Sequence, residues 1–179
     1  LLLASGWQAN AAVLPALLRA AASQGEVELY ADKLNHASLH HGCQAAGVKQ
    51  IRFRHNDLDH LENLLTTRAE SAAGQPVSRF IVTESVFSMD GDLADLPSLC
   101  AEARRTNAWV MVDDAHGFGP LRATGGGTVA HFGLGQADVQ VLVGTLGKAF
   151  GTAGAFVSGS DAPLETLIQF ARPYPHPPT

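Results

Sequence analysis

One lysine stands where small residues and apolar strands could bury an amine. Lys148 lies in a Gly-Lys-Ala run between strands predicted at 139–143 and 155–158. Burial disfavours the ammonium form and lowers the pKa, which prepares a lysine to form a Schiff base. The run is not a phosphate-binding P-loop, because Leu stands five positions before its Gly and Ala follows its Lys. A solvated surface lysine is the alternative.

One aspartate offers the complementary chemistry. Asp113 ends a Val-rich strand predicted at 109–113, so its carboxylate is expected to be buried and to need a partner. A protonated pyridine nitrogen is such a partner, and a carboxylate that keeps this nitrogen protonated makes the ring an electron sink. The alternatives are a helix cap, a salt bridge, or a metal site shared with Asp114 and His116. No second ligand cluster with metal-site spacing supports the metal.

Further polar clusters follow other predicted strands and are expected at the same edge of the sheet. In a parallel α/β sheet, ligands bind outside the carboxyl ends of the strands. The convergence of several clusters there is stronger support for a site than any one of them. The clusters lie at 5–7, 32–36, 84–90, 113–117 and 144–148.

The elements that must position these clusters alternate between short β-like runs and longer helical runs. This alternation predicts an α/β fold of three layers, with a mostly parallel central sheet and helices on both faces. Asn35 is the predicted N-cap of the second helix, 117–127 is a Gly-rich loop, and 71–76 is a polar loop. Helices are predicted over 9–22, 36–46, 57–70, 96–106 and 163–171, and strands over 1–5, 27–30, 48–53, 79–83, 109–113, 139–143 and 155–158.

Composition limits the classes of function. The chain has 179 residues, of which 46% are hydrophobic and 16% charged, which is typical of a globular protein. The net charge of −5 excludes a basic nucleic-acid footprint. No apolar window approaches the ~20 residues that span a bilayer. Two cysteines are no disulfide framework and fit a reducing cytoplasm. We predict one domain over 1–172 and an irregular Pro-rich tail at 173–179.

Four segments together carry a specific resemblance. In their order along the chain, they resemble the motifs of the α-oxoamine synthases, fold-type I enzymes that use pyridoxal 5′-phosphate (PLP). Members of this family are longer and homodimeric, so the resemblance implies a central portion without the N-terminal segment and the C-terminal small domain. The segments are 32–39, 83–92, 112–117 and 144–151.

The resemblance implies a role for each matching residue. Lys148 would hold PLP and remove the substrate's α-proton, while His36 would stack on the ring in the catalytic site. Asp113 would face the ring nitrogen and His116 the ring hydroxyl. The remaining cofactor-binding residues would lie near the ring and the phosphate: Gly6, Trp7, Ser88 and Thr145. No metal is expected. Four further histidines match no site and are predicted on solvated helix faces: His40, His41, His55 and His60.

The Asp-Asp-Ala-His-Gly run favours one branch of the family, which condenses L-alanine with pimeloyl-CoA or pimeloyl-acyl carrier protein and releases carbon dioxide. Two alternatives stay open. Another branch would use glycine with acetyl-CoA or serine with a long acyl-CoA. A non-catalytic α/β module would leave Lys148 and Asp113 with structural roles only.

Overall fold

Seven strands form one mixed sheet in the computed structural model, which describes residues 1–71, 76–121 and 123–171. Five neighbouring strands are parallel. The strand next to one edge of the sheet is antiparallel to both of its neighbours. The strands are β1 (Leu2–Leu3), β2 (Glu26–Asp32), β3 (Gln50–Phe53), β4 (Val77–Glu84), β5 (Ala108–Asp113), β6 (Val141–Thr145) and β7 (Ala155–Gly159).

The strand order β1-β7-β6-β5-β4-β2-β3 places β4 and β5 near the centre. Strands β2 to β6 pair in parallel, whereas β7 is antiparallel to both β6 and β1. The mostly parallel sheet predicted from the sequence is therefore confirmed. Its register sets Glu84 beside Asp113 at the carboxyl ends of adjacent strands.

Helices cover both faces, which confirms the three layers. One apolar cluster joins α1, α2 and α6 to one face through residues such as Leu18, Leu39 and Leu167. A second cluster joins α3 and α4 to the other face. Met111 and Val112 belong to different clusters, as expected where successive side chains of a strand alternate. The helices are α1 (Gly6–Ala22), α2 (Ala37–Ala46), α3 (Leu58–Ser71), α4 (Leu96–Arg105), α5 (Gly127–His131) and α6 (Asp161–Phe170).

The start of α2 differs from the prediction. Asn35 is not the N-cap, because its side chain bonds to the neighbouring strand instead: Nδ2 donates to the carbonyl of Val82, and Oδ1 accepts from the N–H of Glu84. His36 is the cap, and its Nδ1 accepts from the N–H of Ser38. The side chain of Asn35 therefore makes longer-range hydrogen bonds to β4, which the local sequence does not reveal.

Other differences are small. Helix α1 begins three residues earlier than predicted, because Ser5 Oγ accepts from the N–H of Gln8, and it continues through Pro15. Helix α5, which begins at the last residue of the predicted Gly-rich loop, was not predicted. Both cysteines are free and buried. Among the described residues, no helix has the length and apolarity needed to cross a bilayer. The predicted tail at 173–179 and most of the loop at 71–76 lie outside the described residues.

Candidate active site

A cavity of about 200 Å³ opens at the carboxyl ends of β4, β5 and β6, against the N-terminus of α1. All but one of the predicted site residues line it, and Ser88 is the exception. The structure thus brings together residues that lie up to 142 positions apart in the chain, from Gly6 to Lys148. The lining residues are Gly6, Trp7, His36, Ser38, Glu84, Asp113, Ala115, His116, Thr145 and Lys148.

Asp113 is a buried carboxylate on the cavity wall, 7% exposed. Its Oδ2 accepts a hydrogen bond from Asn10 Nδ2 at 2.6 Å, and its Oδ1 accepts from the N–H of Ala115 at 3.1 Å. Within the described ranges, no basic side chain forms an ion pair with it. A buried carboxylate with hydrogen bonds but no counter-charge suits a cationic ring nitrogen in the cavity.

Asn10 links Asp113 to the predicted stacking histidine. Its Nδ2 also donates to Ser38 Oγ at 3.0 Å, and that hydroxyl lies 2.7 Å from His36 Nδ1. Because the N–H of Ser38 donates to Nδ1, the proton of a neutral His36 ring belongs on Nε2. The chain of bonds fixes the orientation of His36 at the cavity. Sequence reasoning missed Asn10, which is fully buried in an Ala-rich helix.

The amine of Lys148 lies 2.6 Å from Nε2 of His116. Burial lowers the pKa of Lys148, against the opposing charges of Asp113 and Glu84. Burial and the charge of Lys148 also lower the pKa of His116. The main chain of Val86 opposes this lowering of the His116 pKa, and Nε2 of a neutral ring can accept a hydrogen bond from the amine. Burial therefore increases the fraction of neutral amine, the form that acts as a nucleophile or base.

Glu84 is a site residue that sequence reasoning set aside. It is 3% exposed and lines the cavity, and its carboxylate accepts from the N–H of His36. Burial, followed by the nearby charge of Asp113, raises the pKa of Glu84 to about 7. A carboxyl that titrates near neutrality can take or give a proton. Its place at the end of a buried strand was the available signal.

Ser88 lies outside the cavity lining and is exposed. Its main chain acts on the site by opposing the rise in the pKa of Glu84. The contact of its hydroxyl with a cofactor stays a prediction.

Asp114 has a different function from its neighbour. It is fully buried, and its carboxylate accepts from Ser85 Oγ and from both the N–H and the hydroxyl of Thr128, the last two at 2.8 and 2.7 Å. A Cβ at position 117 would collide with this carboxylate, so Gly117 is required there. Among the described residues, Asp113, Asp114 and His116 do not form a metal-ligand group. Asp114 instead joins the end of β5 to α5 and to Ser85, which follows β4.

The start of α1 forms the other end of the cavity. First-turn N–H groups lack partners within a helix and carry a partial positive charge, which favours an anion there. Gly6 and Trp7 supply such groups, and the side chain of Thr145 lies beside Gly6. The half-exposed Trp7 ring contacts His36 edge-on, with 6.1 Å between the ring centroids.

Comparison with known families and sequences agrees with this geometry. The family model described as aminotransferase class I and II matches residues 1–179. An 8-amino-7-oxononanoate synthase of Ectopseudomonas mendocina is 61% identical over 174 residues, which are 97% of this chain and 42% of that protein. A putative 8-amino-7-oxononanoate synthase of Bordetella pertussis is 60% identical over 168 residues, 94% of this chain and 41% of that protein.

Solved structures are similar as well. A serine palmitoyltransferase variant from S. paucimobilis with a bound PLP–myriocin aldimine superposes with a TM-score of 0.83 at 30% identity, covering 97% of this chain and 42% of that one. The 8-amino-7-oxononanoate synthase of Francisella tularensis superposes with a TM-score of 0.79 at 34% identity, covering 97% and 47%. The chain spans about two fifths of the length of the curated relatives it matches. These similarities confirm the resemblance that the four motifs carry.

Proposed function

This chain belongs to the class I and II aminotransferase family, and we propose that it forms the cofactor site of a PLP-dependent C-acyltransferase, an 8-amino-7-oxononanoate synthase. The observation that carries the proposal is a lysine amine paired with a histidine and facing a buried, uncompensated carboxylate across one cavity. Relatives of that name, at 60% and 61% identity, support the choice of enzyme.

The cavity fits PLP by the chemistry of its donors and acceptors. Asp113 would accept a hydrogen bond from the protonated ring nitrogen, whose positive charge would be the counter-charge that this carboxylate lacks. The N–H groups of Gly6 and Trp7 would bind the phosphate together with Thr145, and His36 would stack on the ring. When bound, PLP supplies an electron sink that stabilises negative charge at the α-carbon of an amino acid.

Lys148 would make the covalent bond to the cofactor through Nζ. Its lowered pKa keeps a larger fraction of the amine neutral, and a neutral Nζ can take a proton from a substrate carbon. His116 Nε2, 2.6 Å away, holds the amine at the cavity and can share that proton. Both groups act through positions fixed by β5, β6 and the loops that follow them.

His36 and Glu84 would control the protons beside this pair. Nε2–H of His36 is directed by the bonds that its Nδ1 makes to Ser38. Glu84 holds the N–H of His36 and, with its pKa raised to about 7, can store a proton at its carboxyl near neutral pH. The catalytic residues of the proposal are therefore Lys148 and His36, with Glu84 added by the structure.

The substrates we propose are L-alanine and a pimeloyl thioester, carried by CoA or acyl carrier protein. Their condensation with loss of carbon dioxide yields 8-amino-7-oxononanoate, an intermediate of biotin biosynthesis. The serine palmitoyltransferase structures, with TM-scores up to 0.83, favour serine and a long acyl-CoA as the second candidate. A homodimer and a cytoplasmic location stay predictions.

A titration with PLP tests the cofactor site. We expect a new absorbance band that borohydride fixes on the chain, and no fixed label in Lys148→Ala. Lys49→Ala is the matched control and should label normally. A band that survives in Lys148→Ala would overturn the assignment of Lys148.

Condensation assays test the substrates. The protein is supplied with alanine, glycine or serine and with pimeloyl-CoA, acetyl-CoA or palmitoyl-CoA, and carbon dioxide release is measured. Preference for alanine with the pimeloyl thioester is expected. A preference for serine with palmitoyl-CoA would favour the second candidate.

A further inference from the structure

A second histidine of the same sheet edge lies between two carboxylates. His55, whose side chain is 18% exposed, has Nδ1 at 3.1 Å from Asp32 Oδ1 and Nε2 at 2.9 Å from Asp92 Oδ2. Phe87 covers the ring edge-on, with 4.4 Å between centroids. The sequence prediction of a solvated histidine is therefore wrong. We call Asp32, His55 and Asp92 the His55 cluster.

The geometry selects the protonated ring. A neutral imidazole has one N–H, so it can donate to only one of two carboxylates, whereas an imidazolium donates to both. The titratable groups facing the ring are Asp32 at the end of β2, and Asp90 and Asp92 after β4. All three are acidic. Although burial alone lowers the pKa of His55, Asp32 and Asp92 raise it above its ordinary value of 6.5.

The cluster holds a chain segment that also reaches the candidate active site. The segment runs from Ser85 to Asp92 between β4 and α4. At one end, Asp92 bonds to His55 and to Asn56 Nδ2. Nearer the site, the N–H of Ser85 donates to the carbonyl of Asp113 at 3.0 Å, and Ser85 Oγ donates to Asp114. The main chain of Val86 also raises the pKa of His116, and that of Ser88 lowers the pKa of Glu84.

The segment is also closed upon itself. The N–H of Phe87 donates to the carbonyl of Asp92 at 3.0 Å, and the N–H of Gly91 donates to the carbonyl of Phe87 at 2.8 Å. The main-chain groups that contact the site are therefore continuous with the turn that His55 holds.

We propose that His55 is a positioning residue: its imidazolium, bound between Asp32 and Asp92, fixes the 85–92 segment whose main chain orients His116 and Glu84. The consequence for catalysis rests on the proposed function, but the positioning itself does not. Above the pH at which His55 loses its proton, one of its two bonds to carboxylate is lost. The 85–92 segment then loosens, and the main chain of Val86 no longer raises the His116 pKa.

The test follows ring and amide signals of the full chain by NMR, without cofactor, in wild type, His55→Gln and Asp92→Asn. His131→Gln, which changes an exposed histidine, is the matched control. In wild type, His55 should titrate above its ordinary pKa of 6.5. Amides of Ser88 and Gly91 should exchange faster as His55 titrates, relative to amides of β5.

The two variants separate positioning from folding. In His55→Gln, exchange at Ser88 and Gly91 should be about tenfold faster or more at every pH, because a charge-assisted hydrogen bond is lost. The His116 pKa should fall further, since the main chain of Val86 raises it. In Asp92→Asn, a neutral His55 can donate to Asp32 and accept from the new amide. The amides of Ser88 and Gly91 should then stay protected from exchange to high pH, while the His55 pKa falls.

Two results would overturn the inference: a His55 that titrates at or below its ordinary value, or a His116 titration unchanged in His55→Gln. Failure of the proposed function looks different. If wild type does not bind PLP while the ring and exchange results hold, His55 positions the segment but the cofactor assignment is wrong. If PLP binds, His55→Gln should weaken its binding about tenfold, on the scale of one charge-assisted hydrogen bond.

Discussion

His116 and His55 lie along the same edge of the sheet, and their surroundings shift them in opposite directions. Burial lowers the pKa of both rings. His116 also has a lysine neighbour, whose charge lowers the His116 pKa further. His55 has two carboxylate neighbours, which outweigh burial and raise the His55 pKa. Burial acts in the same direction on both rings, so the neighbouring charges account for the opposite directions of the two pKa shifts. A neutral ring suits proton exchange with Lys148, and a charged ring suits a fixed structural bond.

Removing the Lys148 amine should have the largest effect on the difference between the pKa values of His116 and His55. In Lys148→Ala, covalent attachment of PLP should be lost. The His116 pKa should rise toward its ordinary value, because a cation that lowers it is gone. NMR of the His116 ring measures the second effect without cofactor. His55 should titrate as in wild type, and an equal change there would contradict the independence of the two regions.

Removing Asp114 tests a carboxylate that serves neither histidine. Asp114→Ala leaves buried donors of Ser85 and Thr128 without an acceptor. Each unsatisfied buried donor costs about 1–3 kcal/mol, so we expect the free energy of unfolding to fall by about 3 kcal/mol or more. Urea unfolding measures it. Thr124→Ala, in the Gly-rich loop at 117–127, is the control. A fall of less than about 1 kcal/mol in the free energy of unfolding of Asp114→Ala would contradict a structural role for this carboxylate.

Neutralising Asp113 tests the electrostatics of the active-site region alone. Asp113→Asn removes a negative charge that raises the pKa values of both Lys148 and Glu84, so both should fall. PLP affinity should decrease roughly 10- to 100-fold, the scale of one charge-assisted hydrogen bond. Equilibrium absorbance titration measures it. Wild-type affinity in this variant would show that Asp113 does not face the ring nitrogen.

The smallest expected effect is the pH dependence of stability from His55. A histidine whose pKa is raised on folding stabilises the native state fully below its unfolded pKa. This stabilisation disappears as pH rises from the ordinary value of 6.5 through the raised native pKa. Unfolding measured across this range should show the loss in wild type and not in His55→Gln. If the free energy of unfolding depends on pH in the same way in both proteins, this contribution of His55 to stability is contradicted.

Local sequence features predicted much of this molecule and remote contacts explain the rest. Asp113, His116 and Lys148 could be predicted because each follows a strand, and parallel strands bring their carboxyl ends to one edge. The bonding of His55 could not, because its carboxylates lie 23 residues before it and 37 after it. Asn10 was hidden for the same reason, since its partner Asp113 is 103 residues away.

The central claim is that the surroundings of Lys148 make it the reactive amine, and the chain offers its own comparison. It contains three lysines, Lys33, Lys49 and Lys148. The protein is treated with less than one equivalent of PLP, reduced with borohydride, digested and mapped by mass spectrometry. The account predicts that nearly all of the label lies on Lys148. Label distributed evenly over the three lysines, or concentrated on Lys33 or Lys49, would contradict it.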